Sequence, residues 1–168
     1  MIDADRRWSA SLKDFLKRSA ASRPVLFGIA MILIALFIKI PFAPLILWLP
    51  GGDTTGPVAE GGVALVLFSF LLLPVETLLG QALPIGTFRI LRVKRWRSLI
   101  ICSAFCFGIL HLVAGPGAFF VGFSGGLAFA LCWLCWAEVS WWRAFSRTTL
   151  VHMAHNAVAL TFYFVIPE

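Results

Sequence analysis

Charge is what this sequence has least of. Asp, Glu, Lys and Arg make up only 13% of its 168 residues, and 60% are apolar. A soluble domain carries about 25% charge and about 45–50% apolar residues, so that class is excluded and an integral membrane protein is indicated. Cysteine is scarce too. Cys102, Cys106, Cys132 and Cys135 all lie in apolar runs, where a thiol behaves as a small hydrophobe. Cys132 and Cys135 form a C-x-x-C in "LCWLCW", but no turn residues and no second Cys/His pair accompany it, so it reads as packing, not as a zinc site. The H-E-x-x-H of the zincins is absent, as is any internal repeat.

What is present is a series of long apolar runs. A spanning helix needs about 20 such residues, and five candidates occur at about 24–48, 62–83, 99–115, 117–137 and 148–166. The fold class expected is therefore all-α, a polytopic membrane bundle of about five helices forming one domain over 24–168, behind a basic segment at 1–23. Breaks fall at "LPGGDTTGP" (49–57), "FRILRVKRWR" (88–97), "GPG" (115–117) and "AEVSWWRAFSR" (137–147).

The formal net charge of +6 suggests anionic lipid headgroups and not nucleic acid, because the basic residues flank apolar spans. Of the fourteen Lys and Arg, six lie in the first 23 residues, five in 88–97 and two in 137–147, leaving only Lys39. With five spans these three segments share one side, which the positive-inside rule makes cytoplasmic, with the N-terminus in and the C-terminus out. The opening "DADRRWSASLKDFLKRSAASR" is too charged for a signal peptide, and the apolar run after it ends in no small-residue cleavage site, so it is expected to be retained. Trp8, Leu12, Phe15 and Leu16 fall on one face of it, the pattern of a helix lying on the membrane or of a solvated basic tail. Lys39 is expected to snorkel to the outer interface.

Inside the spans the ionisable side chains besides Lys39 are Glu76, His111, His152 and His155. Such residues usually face a bundle interior or a water-filled cavity. Phe107 and His111 in "FGILH" are i,i+4, as are His152 and Asn156 in "HMAHN", so each pair shares a helix face. Brought together, one carboxylate, two imidazoles and an amide are chemically complete for hydrolysis: a base for water, an acid for the leaving amine, and donors for the oxyanion. Glu76, His111 and His152 could also hold Zn²⁺, although no cofactor is the simpler expectation. Other readings are helix–helix glue, a proton-coupled transporter in which Glu76 titrates, or a non-catalytic immunity or regulatory module that binds a peptide in the same pocket. "GFSGG" at 122–126 is expected to allow close helix approach.

"ETLLGQ" (76–81), "FGILH" (107–111) and "HMAHN" (152–156), in this order, resemble the CPBP family of intramembrane proteases, the CAAX prenyl endopeptidases and bacteriocin-processing or immunity proteins also called the Abi family. The family pattern is E-E-x-x-x-R, then F-x-x-x-H, then H-x-x-x-N, and it covers about half of this chain. The resemblance implies an endopeptidase of a bacterial inner membrane acting on a membrane-associated peptide or protein. Glu76 would activate water, His111 would work with it, and His152 with Asn156 would stabilise the oxyanion; Phe107 and His155 would support them. Family members are described both as metalloproteases and as metal-free glutamate proteases. Where the family has its second Glu and its Arg, this chain has Thr77 and Gln81. Both charges are replaced together, leaving a hydroxyl and an amide expected to hydrogen-bond at i,i+4. Counted at 1.5 Å per residue from the cytoplasmic ends, Glu76 lies ~11 Å deep, His111 ~18 Å and His152 ~6 Å, which puts the cavity in the cytoplasmic half.

Overall fold

The computed structural model describes residues 2–52 and 62–165, without the side chains of 2–10, 64, 65, 68 and 163. Trp8 and most of "LPGGDTTGP" thus lie outside the described side chains and residues. Every regular element among the described residues is helical: α1 Ile2–Ser22, α2 Pro24–Phe37, a 3₁₀ turn Ile40–Phe42, α3 Ala43–Trp48, α4 Gly62–Thr77, a π turn Leu78–Ala82, α5 Leu83–Ile90, α6 Trp96–His111, a 3₁₀ turn Leu112–Ala114, α7 Pro116–Ala137 and α8 Trp141–Val165.

Four stretches are long and apolar enough to cross a membrane, Pro24–Trp48, Ser69–Ile90, Trp96–Ala114 and Pro116–Ala137, so the chain is an integral membrane protein in character. The fifth run expected, 148–166, belongs to a 25-residue helix, α8. Its mean hydropathy is lowered by His152, His155 and Asn156 on it, the same residues that make it interesting. Three boundaries need correction. The second run does not stop at 83 but continues through α5 to Ile90. The third helix begins at Trp96, not at 99. The break expected at 137–147 shrinks to Glu138, Val139 and Ser140, because "WWRAFSR" is already helical.

Prolines explain the interruptions. Pro41 has no N–H for the Phe37 carbonyl and crowds it, and α2 ends at Phe37; Pro44 repeats the effect three residues on. The first apolar run is therefore two helices with Lys39 at their junction. In the second run, the Leu83 N–H reaches back to the Leu78 carbonyl, closing a π turn. Pro84 cannot donate to the Gly80 carbonyl one α turn back, and Ser103 Oγ of α6 donates to that oxygen at 2.7 Å.

The core is built around α7. Two thirds of its most apolar window is buried, 67%, against 17% for Pro24–Trp48, so α7 is the central helix and the first run faces lipid. α7 packs most extensively on α6 and also against α2 and α8, while α4 packs on α8. The "GFSGG" expectation is met at Gly122, where a Cβ would come within 2.7 Å of His111 Nδ1 and 3.0 Å of the Phe107 carbonyl oxygen. Cys132 and Cys135 are free and buried in α7, as packing requires.

The basic segments gather at one end of the bundle. Glu138, just after α7, sits 3.3 Å from Lys17 Nζ of α1 and 3.8 Å from an Arg89 nitrogen of α5. Lys13 and Lys17 lie over the Trp96 ring at 4.9 and 5.6 Å, and Trp136 Nε1 donates to the Ala20 carbonyl at 3.2 Å. Exposed pairs of this kind contribute little stability each, but they register α1 against three helix ends. Leu16 packs on the bundle, while Leu12 and Phe15 remain exposed, available to a membrane surface. At the opposite end the Gly117 N–H donates to the Pro50 carbonyl at 2.8 Å, joining the connections that follow α3 and α6.

Candidate functional site

Glu76, His111, His152, His155 and Asn156 all line one cavity of about 300 Å³, walled by α4, α6, α7 and α8, and Lys39 closes it from the junction of α2 and α3. A single side chain bonding a neighbouring helix would explain any one of them. Polar groups from α4, α6 and α8 and from the α2–α3 junction turned into one space require a common account.

The observed helix ends narrow the spread of depths counted along the chain. At ~1.5 Å per residue, Glu76 lies about 21 Å from Ile90, His111 about 22 Å from Trp96, His152 about 16 Å from Trp141 and Lys39 about 22 Å from Pro24, all measured from the basic end.

Hydrogen bonds orient the imidazoles. His111 Nδ1–H donates to the Phe107 carbonyl one turn back at 2.9 Å, which leaves Nε2 with its lone pair. His155 Nδ1–H donates to Asn156 Oδ1 at 2.9 Å, so the Asn156 amide NH₂ is the donor left for a ligand. His155, expected only in support, is thus the group that sets the Asn156 rotamer. His152 Nε2 stands 3.7 Å from Glu76 Oε2, too long for a hydrogen bond and a spacing that a water bonded to both can bridge. His152 is thus the imidazole within 4 Å of the Glu76 carboxylate, and His111, which the sequence reading paired with Glu76, faces it in the same cavity. His152 is buried and the Glu76 side chain is 33% accessible, so the carboxylate is the more open partner.

Two phenylalanines hold these rings. Phe107 meets His111 edge-on at 4.7 Å and His152 at 5.5 Å. Phe129 lies 4.4 Å from His152 and 5.6 Å from His155. Gly80 lets the ring of Phe107 lie against the π turn: a Cβ there would penetrate that ring, with Cε2 at 3.0 Å. Phe129 carries no signal in "AFALCW" that would separate it from its apolar neighbours, and Gly80 none in "LLGQ". Lys39 had a signal, a charge in an apolar run, but reading it as snorkelling sent it to the interface; the structure puts it on the cavity wall.

Thr77 and Gln81 do not behave as expected. Both are buried and neither lines the cavity. Thr77 Oγ1 and Gln81 Nε2 have no hydrogen-bond partner, so they do not bond each other. Instead Ser103 Oγ lies 2.6 Å from Gln81 Oε1. The reason is the π turn, which begins directly after Thr77 and removes the i,i+4 alignment on which the expected bond depended.

Glu76, His111 and His152, the residues that would hold zinc, face the same space, and among the described residues no three His, Cys, Asp or Glu side chains are grouped closely enough to hold one metal ion. Comparison of the chain with protein-family models, curated proteins and solved structures gives no match.

Proposed function

We propose that the chain is an intramembrane endopeptidase of the CPBP type, hydrolysing a peptide bond of a membrane-associated substrate. The observation that carries this reading is the convergence of Glu76, His111, His152 and Asn156, the four residues of the ordered motifs, on one cavity. No step of this reading is routed through a metal ion. In the reaction, a water held between Glu76 and His152 loses a proton to Glu76, and the resulting hydroxide attacks the scissile carbonyl carbon. The oxyanion receives the Asn156 amide N–H, oriented by His155. The C–N bond then breaks and the leaving amine takes the proton from Glu76. Nε2 of His111 is a second acceptor on the same wall, able to relay that proton. The Lys39 ammonium lines the same cavity and favours the negative charge that develops.

In this reading α8 completes a fifth span, with its polar residues shielded by α4 and α7. The basic end then faces the cytoplasm of a bacterial inner membrane. The test uses purified protein in nanodiscs with envelope-derived membrane peptides, scoring new termini by mass spectrometry. Glu76→Gln and His111→Ala are compared with wild type, with and without phenanthroline. Loss of a positioned base costs about 10²–10⁴-fold. Undiminished cleavage by both variants refutes the proposal, and abolition by chelator alone moves it to the metal-dependent form.

A further inference from the structure

A second cavity, of about 370 Å³, lies outside the proposed active site, between α2 and α8 over the edge of α7. Its walls are Gly28, Ile29 and Ile32 on one side and Leu150 and Val151 on the other, with Trp136 as the floor. Among the described residues, the only charged group lining it is Arg147. That guanidinium lies over the Trp136 ring at 5.4 Å, and the ring is fixed in turn by its N–H bond to Ala20 and by Phe27 edge-on at 5.2 Å. The arginine is thus held at the groove and does not swing free. No described carboxylate stands within ion-pair distance of it.

The groove runs inward from the basic end. Pro24 and Arg147 mark its mouth, and Ile32 lies about 12 Å deeper along α2. A single hydrocarbon chain is slender enough to lie along that length against these apolar walls. An arginine fork with no acid of its own matches a phosphate, and the basic end lies where anionic headgroups concentrate. We propose that this groove binds one anionic phospholipid, with an acyl chain between α2 and α8 and its phosphate on Arg147.

Gly28 keeps the groove open. A Cβ there would make an ordinary 3.6 Å contact with Val151 Cγ2, so alanine is accommodated while a leucine would extend into the space. The test is native mass spectrometry of the full chain from nanodiscs of equal phosphatidylglycerol and phosphatidylcholine with matched chains, independent of any cleavage. Wild type should retain one lipid, phosphatidylglycerol over phosphatidylcholine by about fivefold, the scale of one Arg near an anionic surface. Arg147→Gln should keep a lipid and lose the preference. Gly28→Leu should lose the lipid of either headgroup, with helicity by circular dichroism unchanged and Gly28→Ala behaving as wild type. Equal retention in wild type, Arg147→Gln and Gly28→Leu overturns the proposal. So does a wild-type dimer that Gly28→Leu converts to monomer, which would make a second copy the occupant. If Gly28→Leu misfolds, the headgroup preference of Arg147→Gln decides alone.

Discussion

Gly80→Ala is the most demanding test of the site's construction, because it touches neither the cavity nor any proposed reacting group. Alanine is favoured over glycine in a helix by about 1 kcal/mol, so propensity alone predicts stabilisation. The new methyl, however, would enter the ring of Phe107. That ring is confined by His111 at 4.7 Å, His152 at 5.5 Å and Phe129 at 6.0 Å. Overpacking costs about 1–3 kcal/mol, and a ring enclosed on three sides belongs at the upper end, so the net loss expected is about 2 kcal/mol. For a chain of this size that lowers Tm by roughly 4–8 °C. Activity should fall further than stability. Displacing Phe107 moves both imidazoles it supports, and a misplacement near 1 Å can cost about 10²-fold. The assay pairs thermal unfolding in one detergent with the cleavage measurement, in Gly80→Ala, Phe107→Leu and the double variant. Removing the ring should relieve the clash, giving a coupling of about 1–2 kcal/mol in the cycle. A Gly80→Ala protein as stable and as active as wild type, with no coupling to Phe107, refutes the packing argument.

Two further outcomes follow from the geometry. Lys39→Met should lower kcat by about 10-fold or more with KM little changed, since a charge facing the developing oxyanion acts mainly on the transition state; an unaltered kcat returns Lys39 to the snorkelling role. For topology, single cysteines placed at Lys94 and at the exposed Pro50 in a cysteine-free background should differ towards a membrane-impermeant maleimide applied to intact cells. Position 50 should label and position 94 should not, and the reverse pattern inverts the orientation.

The amphipathic and apolar pattern was enough for an all-helical membrane bundle, because hydropathy reports burial in lipid directly. Helix ends were harder. "WWRAFSR" reads as a loop by charge, yet Arg143 and Arg147 lie on α8, where charge at an interface is compatible with a helix. The polar set was legible because polar and ionisable groups are costly in a span and therefore conspicuous: Glu76, His111, His152 and Asn156 all reach the cavity. What surrounds them was not, since Phe129, Gly80 and Gly122 act through shape, and apolar letters carry no record of which neighbour they meet. The Thr77–Gln81 bond failed for a related reason. Residue spacing predicts a shared face only where the helix keeps its period.

That period changes within the span that holds Glu76. A π turn accommodates one more residue than an α turn, so Leu78–Ala82 behaves as an insertion that leaves the helix unbroken and the chain direction intact. Beyond it, every residue is rotated relative to the position that its number after Glu76 suggests. An ungapped motif match running through 76–81 consequently sets Gln81 against an arginine that would occupy a different azimuth on a regular helix. Counting in turns instead of residues is what relates this helix to a straight one.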